Sequence, residues 1–292
     1  MNKTLVPSIG LVIGGVLWGL FWIPLRALDD QGVSGGWPIT LIYIAILPML
    51  LPVFFFRPKL VQSPLPALIK CGLFTGTAFA LYSISLFFTD VVRVLLLFYL
   101  TPVWSTLMGY FLLGETIGKT RLLAIVLGLV GLVVILGLGE QFPWPRNIGD
   151  WLALISGISW AYGSVCIYQL KSSTTFEQML VFVVGGLFVS LCAILFGGSL
   201  INKEISLPLI TSAIPLVILS ALFILPMIFL TVWPARVLSP GRVGLLLMSE
   251  VVVGVGSAAL LTGEPFGMRE TIGTALVISA GLVEVLGSNS NA

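Results

Sequence analysis

The chain has 292 residues, of which 58% are hydrophobic and only 9% are charged, whereas about a quarter of the residues in a soluble domain are charged. This composition indicates an integral membrane protein. A net charge of +2, spread thinly along the chain, argues against a nucleic-acid partner. The absence of histidine excludes a histidine-based catalytic or metal site, and no cofactor is expected.

Apolar stretches separated by charges predict ten membrane-spanning helices, because a hydrocarbon core about 30 Å thick takes about 20 residues of helix. Only short connections remain, so no separate soluble domain is expected. The cysteines fall inside apolar stretches without CxxC spacing, which favours core packing. In chain order the predicted helices are residues 6–26, 36–56, 66–88, 92–113, 119–138, 149–170, 177–197, 210–232, 242–262 and 268–286.

The distribution of basic residues predicts the orientation. With the N-terminus in the cytoplasm, nine of the fourteen basic residues lie on the inner side, and this bias favours both termini inside. The first apolar run follows Lys3 and could be taken for a signal peptide. It is nevertheless about 22 residues long and lacks a small-residue cleavage site, so we interpret it as a true span.

Comparison of the two halves reveals an internal repeat. The segment from Arg93 to Leu97 matches that from Arg242 to Leu246 at a shift of 149 residues, and Gly114-Glu115 matches Gly263-Glu264 at the same shift. A five-helix repeat enters the membrane from opposite sides in its two copies. The sequence therefore predicts inverted repeats over residues 1–139 and 140–292, an arrangement used by secondary transporters that alternate access to a central site.

These features resemble the drug/metabolite transporter superfamily, EamA type. Trp18-Gly19, Thr101-Pro102-Val103 and the acid in Ser249-Glu250-Val251 are most similar to amino-acid exporters of the YddG type. The resemblance implies ten helices around a central cavity and export across the bacterial inner membrane. The second repeat has Glu250-Val251 where the first has Thr101-Pro102, and this departure limits the transfer of a substrate class.

Glu250 is the first candidate for the site. It lies near the middle of the ninth predicted helix, where a carboxylate is costly and is functional by default. It could bind a substrate ammonium group or take part in an ion-coupled cycle, and a neutral acid that joins two helices is the structural alternative. Its repeat partner Thr101 precedes Pro102, which deprives the Phe98 carbonyl of its usual partner. That carbonyl could bind an amine, and a simple packing kink is equally consistent.

Deep aromatic and hydroxyl residues form the second group of candidates. Trp18 and Trp22 share one helix face at i, i+4 spacing, and Trp160 and Ser164 occupy the matching places in the second repeat. Indole rings on the first and sixth helices could hold an apolar side chain or a cation. The third helix carries a loose stripe of Thr75, Tyr82, Ser85 and Thr89, and Tyr99 precedes Thr101 on the fourth.

Charged residues at the predicted membrane surfaces favour other roles. Arg93 and Arg242 begin the fourth and ninth helices on opposite sides, where they would snorkel to headgroups or close a gate. Glu115 and Glu264 are expected to cap the helices that follow them. Small-residue pairs such as Gly72 and Gly76 predict close helix packing.

The leading hypothesis is a secondary transporter that exports amino acids, including aromatic ones, as a monomer or homodimer. Efflux of lipophilic or quaternary cations uses the same residue types and stays open. Sugar phosphates fit poorly, because no Lys or Arg is predicted near the midplane. An intramembrane enzyme would need a second catalytic group beside Glu250, so no enzymatic activity is expected.

Overall fold

A computed structural model describes residues 4–56, 64–89, 91–136, 145–262 and 267–287. All regular secondary structure in these ranges is helical. In chain order the helices are α1 Leu5–Gly19, α2 Trp22–Asp30, α3 Trp37–Phe56, α4 Leu65–Ser85, α5 Val91–Phe98, α6 Thr101–Leu113, α7 Lys119–Leu136, α8 Ile148–Gln169, α9 Thr175–Phe196, α10 Gly198–Ile201, α11 Leu207–Ala235, α12 Pro240–Leu247, α13 Ser249–Thr262 and α14 Met268–Gly287.

Within the described residues, seven helical stretches are long and apolar enough to cross a membrane. Three of them join two consecutive helices across a short break: Leu5–Asp30, Arg93–Leu113 and Pro240–Leu261. A helix of about 20 residues spans about 30 Å, which matches the hydrocarbon thickness. The prediction of an all-helical membrane protein is therefore confirmed.

The helices pack in a pattern that connects the two halves of the chain. Helix α4 packs against α8 and α9, and α7 packs against α14. Helix α1 contacts α11 and α13, while α6 contacts α8 and α12. Extensive contacts therefore cross between the halves, and the breaks α5–α6 and α12–α13 lie among these packed helices.

Two of the breaks coincide with proline, which has no N–H to donate in the helical hydrogen-bond pattern. Before Pro24, the amides of Leu20, Phe21 and Ile23 each bond the carbonyl three residues back. This tighter turn separates α1 from α2. Pro102 has the same effect near the start of α6, where Val103 bonds the Leu100 carbonyl.

The break in the first span corrects one detail of the sequence prediction. Trp18 and Trp22 would share a face on a continuous helix, but α1 ends at Gly19 and α2 begins at Trp22. As a result their indole N–H groups bond different helices, at Thr231 on α11 and Ser257 on α13 respectively.

Candidate functional site

Side chains from eight helices line a small cavity in the interior. Its volume is about 30 Å³, enough for about two water molecules and too small for an amino acid without movement of the walls. Aromatic rings supply most of the lining. The cavity is lined by Trp18, Ala78, Phe79, Tyr82, Phe98, Trp160, Phe182, Thr231, Leu247 and Glu250.

The Glu250 side chain is the charged group of this cavity. The residue is only 6% exposed, and each carboxyl oxygen accepts a hydrogen bond from a phenol: Tyr82 donates to Oε1 at 3.0 Å, and Tyr99 donates to Oε2. A carboxylate oxygen has two acceptor positions, so acceptor capacity is left over. Among the described lining residues no lysine or arginine balances this charge. The group can therefore receive a cation or a proton.

The break between α12 and α13 sets the position of Glu250. Met248 and Val251 each donate a backbone hydrogen bond to a carbonyl three residues back, at Leu245 and Met248, so the chain turns tightly before the first turn of α13. Helix α1 packs closely on this turn. A Cβ atom on Gly19 would lie 2.6 Å from the Glu250 carbonyl oxygen, so only glycine permits this approach.

The second break, between α5 and α6, positions the aromatic partners of the acid. Phe98 ends α5, and its ring lies 4.8 Å from that of Tyr82 and 5.2 Å from that of Tyr99. Tyr99 is 1% exposed and also reaches the Leu247 carbonyl, at 3.4 Å. The two broken helices therefore meet around the Glu250 carboxyl group.

Trp18 and Trp160 both line the cavity but differ in their hydrogen bonds. The indole N–H of Trp18 donates to the Thr231 hydroxyl at 2.8 Å, and that hydroxyl donates to the Met227 carbonyl at 2.8 Å. Trp160 is 5% exposed, and its buried indole N–H has no acceptor within the described part of the chain.

Thr231 is a cavity residue that sequence reasoning missed. It lies in α11, an almost wholly apolar helix, and is 1% exposed. A hydroxyl on such a helix needs a hydrogen-bond partner in the interior. That isolated polar position is the signal that could have identified it.

Thr101 and Ser164 lie outside the cavity lining. The Thr101 hydroxyl donates to the Phe98 carbonyl. This carbonyl was expected to be free because of Pro102, but it accepts a hydrogen bond from its own turn. The Ser164 hydroxyl donates to the Ala161 carbonyl at 2.7 Å. Both residues are fully buried, and their hydroxyls satisfy backbone groups.

The other hydroxyl candidates of the third predicted helix serve backbone groups or the Asp150 carboxylate. Thr75 and Ser85 donate to carbonyls of their own helix, at Cys71 and Tyr82. Of the predicted third-helix stripe, Tyr82 alone lines the cavity.

A polar network closes the helix bundle where α8 begins, and we call this the Asp150 end. Asp150 is fully buried. Its carboxylate accepts from Arg93 Nε at 3.1 Å to each oxygen, from the Thr89 hydroxyl at 2.8 Å and from the Arg146 amide at 2.9 Å. Arg93, Thr89 and Arg146 also line an open polar pocket at this end.

A second network closes the opposite end, where α1 and α12 begin, and we call this the Arg242 end. Arg242 is buried and donates to the Ser8 hydroxyl at 2.9 Å. Nearby, Arg121 bonds Glu115 and Glu284, each at 3.0 Å. Glu115 therefore pairs with a side chain in the first turn of α7, whereas its predicted repeat partner Glu264 lies outside the described residues.

The loop between α8 and α9 is fastened at the same end. Arg236 donates to the Thr175 hydroxyl at 3.1 Å and to the Ser173 carbonyl. Lys171 donates to the Arg236 carbonyl at 2.8 Å. Desolvation lowers the pKa of the Lys171 ammonium group, and the charge of Arg236 lowers it further.

A larger groove runs between α1, α12, α13 and α14. Its volume is about 470 Å³, and it is lined by apolar side chains together with Ser8 and Ser249. No charged residue is among its described lining residues. The smaller cavity, which combines an acid, indoles and a phenol, is therefore the better candidate for recognition of a polar solute.

The fold and the interior cavity are those of a helical membrane protein and are consistent with a transporter. Comparisons with known proteins agree. Residues 6–137 match the model of the EamA-like transporter family.

Two curated proteins are similar over most of their length. A "Probable amino-acid metabolite efflux pump" of Salmonella typhimurium (strain LT2) is 24% identical over an alignment of 283 residues, and the match covers 93% of this chain and 92% of the relative. A protein of Escherichia coli (strain K12) with the same name is 23% identical over an alignment of 286 residues, with the same coverages of 93% and 92%. The resemblance to EamA-type amino-acid exporters is thereby confirmed, and the comparisons indicate a transporter and not an enzyme.

Two further similarities are consistent with this result. The "Uncharacterized transporter YoaV" of Bacillus subtilis (strain 168) is 24% identical over an alignment of 166 residues, and the match covers 54% of this chain and 55% of the relative. One solved structure, titled "Crystal structure of protein", superposes with a TM-score of 0.75 and covers 99% of both chains at 17% identity. This last similarity concerns the fold alone.

Proposed function

We propose that this protein is a secondary transporter that exports amino acids, including aromatic ones, from the cytoplasm by alternating access. The observation that carries the proposal is the buried Glu250 carboxyl group in a cavity otherwise lined mainly by aromatic and apolar side chains. Such a cavity offers a counter-charge to an ammonium group and ring surfaces to an apolar side chain. The names of the two curated relatives point to the same substrate class.

In this proposal the acid and the aromatic side chains around it have distinct roles. Glu250 binds the substrate ammonium group, while Tyr82 and Tyr99 hold the carboxyl oxygens of Glu250 in place. The rings of Trp18 and Trp160 contact the substrate. Because the cavity is small in the present conformation, binding requires the surrounding helices to move apart.

We propose further that residues 1–139 and 140–292 are inverted five-helix repeats, giving ten membrane crossings. Helix α5 ends at Phe98 and α12 ends at Leu247, which is a separation of 149 residues and equals the shift of the sequence repeat. Gly15 lies against the α12–α13 break, and Gly157 lies against the α5–α6 break. These two glycines are related by the same 142-residue shift as Trp18 and Trp160. These matching breaks and contacts support the repeat.

The two end networks act as gates in this mechanism. Arg93 and Arg242 are repeat partners. Their hydrogen-bond partners, Asp150 and Ser8, are also related by the repeat, at the 142-residue shift. The bend at Pro102 lets α6 move relative to α5. Opening at the Arg242 end would admit substrate from the cytoplasm, and opening at the Asp150 end would release it. This direction follows from the predicted orientation, with both termini cytoplasmic in a bacterial inner membrane.

The test is transport by purified protein in liposomes. We expect saturable uptake of labelled phenylalanine by the wild type and its loss in Glu250→Gln, which keeps the shape and removes the charge. Asp30→Asn is the matched control, because Asp30 is exposed at the end of α2; it should transport like the wild type.

Two other outcomes would change the assignment. Flux of a quaternary ammonium compound without amino-acid flux would favour cation efflux, which the ring-lined, acid-bearing cavity also suits. Amino-acid flux that is unchanged in Glu250→Gln would reduce Glu250 to a helix-joining acid and contradict the proposed site.

A further inference from the structure

An amino acid carries a carboxylate as well as an ammonium group, and the cavity must accommodate both. Burying a carboxylate is costly unless donors meet it. Lysine and arginine, the usual donors, are absent from the described lining. The donors must then be neutral N–H or O–H groups of the lining residues, which are Trp18, Tyr82, Trp160 and Thr231.

Three of these four donors already have acceptors. The Tyr82 hydroxyl bonds Glu250, the Trp18 indole N–H bonds Thr231, and the Thr231 hydroxyl bonds the Met227 carbonyl. The indole N–H of Trp160 is the exception, since it is buried without an acceptor in the part of the chain that the structure describes.

A buried indole N–H without an acceptor is uncommon, because Trp usually finds a partner when it is buried. Indole nitrogen is a donor only, so the missing partner must be an acceptor. Trp160 is 5% exposed and lines the same cavity as Glu250. An acceptor that arrives with a ligand would satisfy this donor.

We propose that the Trp160 indole N–H is the recognition group for the substrate carboxylate, while Glu250 takes the ammonium group. The inference rests on the proposed amino-acid transport and adds the substrate class: zwitterions with both groups on one carbon, in preference to amines, amino-acid amides and quaternary cations. The hydrogen-bonded Trp18–Thr231 pair lines the same cavity.

The first test uses the unaltered protein and so does not depend on the folding of a variant. Uptake of phenylalanine is measured in liposomes against competition by its amide and by phenethylamine, which lacks the carboxylate. We expect both analogues to compete about 10- to 100-fold more weakly, the loss that corresponds to one hydrogen bond to a charged group. Equal competition by all three compounds would overturn the proposal.

The second test locates the effect at Trp160. Trp160→Phe keeps an aromatic ring and removes the N–H. We expect the KM for phenylalanine to rise about 10- to 100-fold and the inhibition constant of phenethylamine, measured against the residual phenylalanine uptake, to stay the same. Trp151→Phe, on the same helix but 51% exposed, is the control and should leave both unchanged.

The outcomes separate this inference from the proposed function. If the wild type does not carry phenylalanine, the proposed function fails first. The second case is that the wild type carries phenylalanine and Glu250→Gln abolishes the flux. If Trp160→Phe then weakens the binding of phenylalanine and of phenethylamine equally, Trp160 acts through packing and the carboxylate assignment is wrong. An unchanged KM in Trp160→Phe would also refute the assignment.

Discussion

The two phenols bonded to Glu250 allow its role to be measured residue by residue. Tyr82 and Tyr99 each supply one hydrogen bond to the buried carboxyl group. Removing either hydroxyl leaves a buried carboxyl oxygen of Glu250 without that hydrogen bond, which lowers the free energy of unfolding by about 1–3 kcal/mol. We predict that Tyr82→Phe and Tyr99→Phe each lower the melting temperature of the purified protein, while Tyr110→Phe, at a half-exposed site on α6, does not.

A double-mutant cycle is the control for this prediction. In a Glu250→Leu background the acceptor is gone, so Tyr82→Phe should then have a much smaller effect, with a coupling of about 0.5–3 kcal/mol between the two positions. Equal destabilisation in both backgrounds would show that the tyrosines contribute by packing alone. Thermal unfolding in detergent provides the measurement.

At the scale of the helices, composition and charge spacing predicted the elements well because membrane spans have a fixed length. The predicted 149–170 corresponds to α8 Ile148–Gln169, and 119–138 to α7 Lys119–Leu136. The break after Gly19 was missed, because the first apolar run was interpreted as one continuous span. Sequence spacing identifies a proline but not the turn that its missing hydrogen bond produces.

The candidate site could be predicted only in part. Glu250, Trp18 and Trp160 were predicted because acids and indoles are unusual deep in a membrane span, and Tyr82 was predicted from the hydroxyl stripe of the third helix. The structure brings these four residues into one cavity. Thr231 was missed. Whether a hydroxyl serves the backbone or the cavity depends on local carbonyl geometry, which explains why Thr101 and Ser164 bond backbone groups instead.

The interface between α4 and α9 provides a prediction at this scale. A Cβ atom on Gly76 would lie 2.1 Å from the Gly186 nitrogen, whereas a Cβ atom on Gly256 of α13 would meet no atom within 4 Å. Gly76→Ala should therefore destabilise the protein by about 1–3 kcal/mol through overpacking. Gly256→Ala should be neutral, or stabilising by up to about 1 kcal/mol from helix propensity.

Thermal unfolding of the two glycine variants, with liposome transport alongside, provides the comparison. The contact between α4 and α9 joins the two halves, so Gly76→Ala should also slow transport. If Gly76→Ala is as stable as the wild type, α4 and α9 do not pack as closely as the structure describes.

At the scale of the whole molecule, the cavity lies between two end networks that differ at one pair of repeat-related positions. At the Asp150 end, Arg93 pairs with a buried carboxylate, whereas the repeat-related position at the Arg242 end is Ser8. A hydrogen bond to a neutral hydroxyl contributes less than an ion pair with a buried carboxylate loses when one partner is removed. Replacing Asp150 should therefore release its end more than replacing Ser8 releases the Arg242 end, where Arg121 keeps its ion pairs with Glu115 and Glu284.

This asymmetry can be tested by labelling from each side of the membrane. With the native cysteines replaced by alanine, Ala78→Cys introduces one thiol into the cavity lining. The rate at which a membrane-impermeant maleimide labels it from each side reports how often that end opens. Asp150→Asn should raise labelling from the Asp150 end about tenfold for each 1.4 kcal/mol that the network contributes, whereas Ser8→Ala should raise labelling from the opposite end by a smaller factor. If Asp150→Asn changes labelling from neither side, Arg93 and Asp150 join helices without gating, and the control of access must lie in the helix breaks around Glu250.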